Sequence, residues 1–188
     1  ESVIGTSFAT FTGGKGANQG VASARLGAET CFAGCVGADA FGDMQRQNLQ
    51  REGIDLRYLA SHPSEPTGTA VITVADNGEN CIVVTPAANN GVTVAEVAKF
   101  EVDLASFDAV LLQLEIPLDA VEAVLAAARK ANVLSVLDAG PAQHVHQRLI
   151  ELASIVTPNE TEAEAMTGIA VTSVETARKA AGHLIEQG

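Results

Sequence analysis

Tryptophan is absent from this chain, tyrosine occurs once, and there are only three cysteines among 188 residues. Cys31, Cys35 and Cys81 are odd in number and lack paired spacing. That argues against a disulfide framework and fits a reducing, cytoplasmic setting. Basic residues are few as well: 11 Lys and Arg stand against 23 Asp and Glu, a formal charge of −12. This balance argues against a nucleic-acid partner and against an anionic membrane surface. An anionic ligand would have to be met locally, by helix N-termini, a placed lysine or a metal ion. No run of about eighteen apolar residues occurs, so no membrane span is expected. No charged-then-apolar leader opens the chain.

Two familiar phosphate loops are also missing. A Walker A loop has a glycine five positions ahead of a Gly-Lys-Ser/Thr triplet, with four residues between; here the triplet is Gly14-Lys15-Gly16 and the earlier position is Ala9. A dinucleotide fingerprint opening at Gly14 needs glycine where Gln19 stands. There is no internal repeat, low-complexity tract or interdomain linker. His144 and His146 alternate in a polar stretch and read as solvated surface, not as metal ligands.

What the chain does have is 47% hydrophobic residues and 17 glycines, enough for one tightly packed α/β domain with a single core. Apolar runs alternate with helical patterns. Strands are expected at residues 30–36, 108–114, 133–137 and 155–157, and helices at 17–26, 40–52, 118–131, 146–153, 160–166 and 174–187. Such alternation predicts a parallel sheet covered by helices on both faces. Cys31 and Cys35 fall in the first of these strands, where packing is the expected role. One region breaks the order: residues 68–75 and 80–85 are β-rich and joined by Asp76-Asn77-Gly78-Glu79, a strong hairpin signal. The opening run, residues 2–11, is also strand-like.

The most informative stretch is Gly13-Gly14-Lys15-Gly16-Ala17-Asn18-Gln19. Adjacent glycines open backbone angles closed to other residues, and a helix follows at once. Free N–H groups and the positive helix end would face whatever lies above, with Lys15 adding a cation and Asn18 an amide. By itself the turn fits a plain strand-to-helix connection equally well. Three further motifs fall at the carboxyl ends of expected strands, where open parallel sheets bind ligands. Gln113-Leu114-Glu115 ends one; Glu115 is either a sugar-binding carboxylate or an ordinary acid ahead of a helix. Asp138-Ala139-Gly140-Pro141-Ala142 follows the next. Pro158-Asn159-Glu160-Thr161-Glu162-Ala163-Glu164 follows the third, with Asn159 and Glu162 at capping-box spacing, which is a sufficient local explanation of both.

Residues 13–19, in this order with the three later motifs, resemble the ribokinase family, also called the PfkB carbohydrate kinases. The form of the glycine turn is closer to the family's ribose-specific members than to its fructokinases or adenosine kinases. The resemblance implies a three-layer α/β/α fold with a mainly parallel central sheet and a small β-sheet lid. It places the core at residues 13–66 and 87–188 and the lid at 1–12 and 67–86. It implies ATP-dependent phosphorylation of D-ribose at the 5-hydroxyl. Gly14, Lys15, Gly16, Ala17, Asn18 and Glu115 would bind the sugar, Asn159 the nucleotide, and Glu162 a Mg²⁺ ion through water. Gly13 and Gly14 would be the hinge of the lid. Asp138 is variable in the family and is not assigned a role. Pro86-Ala87-Ala88-Asn89-Asn90 departs from the family's Gly-Ala-Asn, which leaves sugar contacts there open.

The family's Asn-x-Asp strand is expected ahead of Glu1, and its Gly-Ala-Gly-Asp motif, with the catalytic base, beyond Gly188. No catalytic residue is therefore assigned within the chain, which is expected to be inactive alone; any K⁺ site would also lie outside it. A homodimer through the lid is expected. Two alternatives stay open: another sugar or nucleoside kinase of the family, and a non-catalytic sugar-binding or regulatory module.

Overall fold

Helices and strands alternate along most of the chain in the computed structural model, which describes residues 4–188. The order is α1 (Lys15–Arg25), β1 (Cys31–Gly37), α2 (Ala40–Arg51), β2 (Asp55–His62), β3 (Thr69–Val74), β4 (Asn80–Thr85), α3 (Val94–Glu101), β5 (Ala109–Leu112), α4 (Leu118–Ala131), β6 (Leu134–Leu137), α5 (Gln147–Leu152), β7 (Ile155–Val156), α6 (Glu160–Thr167) and α7 (Val174–Gln187). Among the described residues no helix is long and apolar enough to cross a membrane.

The parallel strands fall into two groups. β1 pairs with β2, with a register shift between Cys31 and Ala33. β5, β6 and β7 form the second group, with Leu112 beside Leu137 and Leu137 beside Val156. Helix α1 packs on both β1 and β5 and so joins the groups. Its residues Ala17, Val21 and Ala24 meet Val36, Leu49, Ile54 and Leu59 in one apolar cluster. The larger cluster lies between α4, α5 and the second group, where Val121, Leu125, Leu137 and Leu149 are almost completely buried.

Local chemistry accounts for the helices. α4 buries Ala120, Val121, Val124, Leu125, Ala127 and Ala128, a face at three- and four-residue spacing, and stops at Asn132 with φ 57°. α6 and α7 both open with capping boxes, Asn159 with Glu162 and Ser173 with Thr176. The expected bounds of α4, α7 and β4 coincide with those observed. β2 and α3 were not legible: β2 carries Asp55, Arg57, Ser61 and His62 among its apolar residues and shows no clean alternation.

β3 and β4 form a separate antiparallel ribbon through a turn at Gly78, which has φ 84°. Both faces are exposed, with Val71, Ile72, Val74, Ile82, Val83 and Val84 between 52% and 67% accessible. The base of the ribbon is fixed to the core. Asp39, the N-cap of α2, accepts from Thr67 N at 2.8 Å and Thr67 Oγ1 at 2.6 Å. Ala88 N donates to Pro66 O at 2.9 Å.

The opening run departs from expectation. Residues 4–12 form no strand; no ladder partner lies beside them among the described residues, and Ile4, Phe8 and Phe11 are at least 85% exposed. The rest of that expected strand, and the start of the lid segment read at 1–12, lies outside the described residues.

Candidate functional site

Strands β5, β6 and β7 run in one direction, so the segments leaving Leu112, Leu137 and Val156 emerge at one edge of the sheet. These segments carry the three motifs singled out above. Helix α1 brings the glycine turn to the same edge. Gly14 takes φ 93° and ψ 139°, a conformation that disfavours a side chain, and its carbonyl accepts from Asn18 N at 2.9 Å. Lys15 N, which has no partner within its helix, donates to Glu115 Oε2 at 3.0 Å. Gly16 packs so closely that an added Cβ would lie 2.9 Å from Gln113 Oε1.

The Lys15 side chain extends to the Gly140 turn after β6. A Cβ at Gly140 would lie 2.8 Å from Lys15 Nζ, Lys15 Cε and Glu162 Oε1 alike. Lys15 and Glu162 therefore converge on one glycine, and Lys15 forms no ion pair among the described residues. Glu162 is 6% exposed. Its Oε2 accepts from Asn159 N at 2.9 Å, and Asn159 Oδ1 accepts from Glu162 N at 2.9 Å. The capping box thus aims Glu162 and leaves its Oε1 toward Gly140.

The structure brings the Lys15 N–H to Glu115 and the Lys15 side chain to the turn that Glu162 meets, with Gly16 packed closely against Gln113. The other residues singled out from the sequence lie differently. Ala17 is buried in the α1–β1 cluster, so only its backbone can serve a ligand. Asn18 is exposed and lines a cleft of about 390 Å³ between α1 and α2, with Arg25, Gln45, Asn48 and Glu52. Neither Lys15 nor Glu115 lines that cleft. Gly13 accepts from Gln45 Nε2 at 3.2 Å, and an added Cβ at Gly13 or Gly14 would meet nothing within 4 Å. Asn159 is exposed, with its Oδ1 engaged in the cap.

Sequence reasoning missed a polar chain beneath this site. Gln113 Nε2 donates to Gln19 Oε1 at 2.5 Å, and Gln19 Nε2 donates to Asp138 Oδ2 at 2.8 Å. Asp138 Oδ1 accepts from Gly140 N at 3.1 Å. All three side chains lie inside quoted motifs. Their pairing spans 94 and 119 residues, which no local pattern encodes.

The model of the pfkB family carbohydrate kinases matches residues 1–188. A curated ribokinase of Haemophilus influenzae is 41% identical over 188 residues, covering all of this chain and 61% of the relative. One of Bacillus subtilis is 40% identical over 163 residues, covering 87% of this chain and 55% of the relative. The structure of Arabidopsis thaliana ribokinase complexed with ribose and ATP superposes with a TM-score of 0.93 at 32% identity, over all of this chain and 62% of that one. The chain therefore has a ribokinase-like α/β fold and spans about three-fifths of the length of the relatives it matches. With the glycine turn, Glu115 and the Asn159–Glu162 cap at one sheet edge, and a family match over its whole length, this chain belongs to the pfkB family of carbohydrate kinases.

Proposed function

We propose that the full-length protein containing this chain transfers the γ-phosphate of ATP to the 5-hydroxyl of D-ribose. The observation that carries the reading is the convergence of Lys15 with Glu115 on one side and Glu162 on the other. It supports an acceptor site and a phosphate site bridged by one residue. The curated relatives named ribokinase support the same substrate.

Glu115, Lys15, Asn18 and the backbone of Gly14, Gly16 and Ala17 bind the sugar. A carboxylate accepts hydroxyl donors, and exposed amides supply the reciprocal bonds. Asn159 serves the nucleotide. Glu162 suits a Mg²⁺ ion: its Oε1 accepts no hydrogen bond among the described residues, and an oxygen ligand of this kind holds Mg²⁺ well through water. Bound there, the ion would neutralise charge on the transferred phosphoryl group. The base that takes the hydroxyl proton, and any K⁺ site, belong to the part of the relatives' length outside residues 1–188.

The β3–β4 ribbon, with residues 67–86 and 1–12 as lid and Gly13–Gly14 as hinge, closes over the sugar. The lid also joins two copies, which would cover its two apolar faces. The protein acts in the cytoplasm.

The test is ADP release by the full-length protein, with Mg²⁺ and a panel of pentoses, hexoses and nucleosides. The reading expects ribose to give the highest kcat/KM. Preference for a hexose or nucleoside would move the protein elsewhere in the family. Sugar binding without any ADP release would make it a non-catalytic module.

A further inference from the structure

We propose that Gln19 and Asp138 are a positioning pair that sets the register of helix α1 against the ends of β5 and β6, and thereby holds the Lys15 N–H on Glu115 and the Lys15 side chain at the Gly140 turn that Glu162 also meets. The proposal rests on the kinase reading above for its role in the reaction, though not for its geometry.

The two oxygens of Asp138 do different jobs. Oδ2 accepts from Gln19 Nε2 on α1, at 2.8 Å. Oδ1 accepts from Gly140 N, at 3.1 Å. One carboxylate therefore holds both the helix that carries Lys15 and the turn on which Lys15 Nζ and Glu162 Oε1 converge. Gln19 lies one helical turn beyond Lys15, so fixing its amide fixes the rotation of α1 about its axis. The amide cannot choose a second orientation without loss. Its oxygen takes the Gln113 donor at 2.5 Å while its nitrogen donates to Asp138, and exchanging them would set donor against donor.

Plain helix-to-sheet packing does not explain this chain. Ala17, Val21 and Ala24 already supply apolar contact for α1. Such contact is non-directional and tolerates small rotations. Hydrogen bonds to half-buried groups are directional, and transfer reactions are sensitive to displacements of about 1 Å. The pair gives orientation where apolar packing gives only adhesion.

The experiment uses the full-length protein and three variants: Gln19→Glu, Asp138→Asn and the double variant. Gln19→Glu sets two carboxylates against each other, and kcat should fall roughly ten- to a hundredfold, with ribose KM changing less. Activity should partly recover as pH falls, because adjoining carboxylates can share a proton. Asp138→Asn keeps an acceptor for Gly140 N but turns its amide nitrogen on Gln19 Nε2, donor against donor, so kcat should fall in this variant too. The double variant restores an alternating chain with the charge on the helix side, and should regain kcat to within about threefold of wild type, above both single variants. A purely structural role would instead lower Tm and leave kcat per folded molecule and its pH profile unchanged.

Acetylation of Lys15, quantified by mass spectrometry on the same proteins, needs no turnover. Its rate should change in Gln19→Glu and return in the double variant. If the wild type releases no ADP with any acceptor, the kinase reading fails and this labelling alone judges the pair. Unchanged kcat and labelling in Gln19→Glu, or a double variant no better than Gln19→Glu, would overturn the proposal.

Discussion

Lys15 donates its backbone N–H to Glu115 Oε2, so helix α1 starts on a carboxylate that the chain supplies a hundred residues later. This bond satisfies one of the helix's free donors and sets a negative charge at its positive end. Glu115 therefore has a structural duty and, in the proposed reaction, a sugar to hold. The two separate by substitution. Glu115→Gln keeps an acceptor for Lys15 and should leave Tm nearly unchanged while ribose KM rises about tenfold or more. Glu115→Ala should add a stability loss of about 1 kcal/mol from the lost cap. A ribose KM unaffected by Glu115→Gln would leave Glu115 as a cap only.

Gly140→Ala inserts a methyl where Lys15 Nζ and Glu162 Oε1 meet. The end of Lys15 can swing away at little cost. Glu162 is tied to Asn159 N and has less freedom. The expected outcome is a kcat loss of roughly a hundredfold by misplacement, with a stability change of about 1 kcal/mol or less. Tm and kcat measured on one preparation check this; equal activity would mean that the convergence has no part in turnover.

Much of this architecture can be read from the residues, for physical reasons. α4 and α7 have one apolar face each and clear ends, and Asn77-Gly78 dictates a tight turn. The Asn159–Glu162 cap is local, so spacing alone reveals it. β2 stayed hidden because its strand is parallel and mixed in polarity, and its partner β1 rather than its own pattern holds it in place. Residues 4–12 mislead the other way: strand-like composition yields no strand without a ladder partner. Within the site, Glu115 and Glu162 sit in motifs whose chemistry is visible. Asp138 looks equally chemical, but its role depends on Gln19, and that pairing exists only once α1 has docked.

The ribbon offers a test of assembly. Ile72, Val74, Ile82 and Val84 lie on one face, and Ile72 stands opposite Ile82. Replacing Ile72 by Asp puts a charge where the proposed dimer would bury an apolar face. Sedimentation at micromolar concentration should show dimers for the full-length protein and monomers for the variant. A wild type that sediments as a monomer would remove the dimer.

The foot of the ribbon predicts a pH effect. The Thr67 hydroxyl, with the N–H groups of Thr67 and Gly42, holds the Asp39 carboxyl below its ordinary 3.8. A depressed carboxylate stabilises the fold fully above its unfolded value and loses that contribution as pH falls through the folded one. Wild type should therefore lose stability below about pH 4 more steeply than Asp39→Asn. Urea unfolding of both between about pH 6 and pH 3 measures the difference. Parallel curves would show that the clamp gives no net stabilisation.

Glu162 poses the sharpest choice between two roles, because both act through one side chain. As a cap, Glu162 needs only an acceptor for Asn159 N, 2.9 Å from Oε2. As a Mg²⁺ ligand through water, it needs charge, and Oε1 has no other partner among the described residues. Glu162→Gln keeps the acceptor and removes the charge. It also leaves a neutral group in a position only 6% exposed, which lowers the cost of burial. Tm should therefore hold or rise slightly. In the full-length protein, kcat should fall at least about tenfold and half-saturating Mg²⁺ should increase, with ribose KM little altered. Glu162→Ala should show the same kinetic loss and in addition a drop of about 1 kcal/mol in stability, from the broken capping box. Should Glu162→Gln instead lower Tm and leave the Mg²⁺ dependence of kcat untouched, the metal role would be withdrawn and the capping box would remain the whole account of this residue.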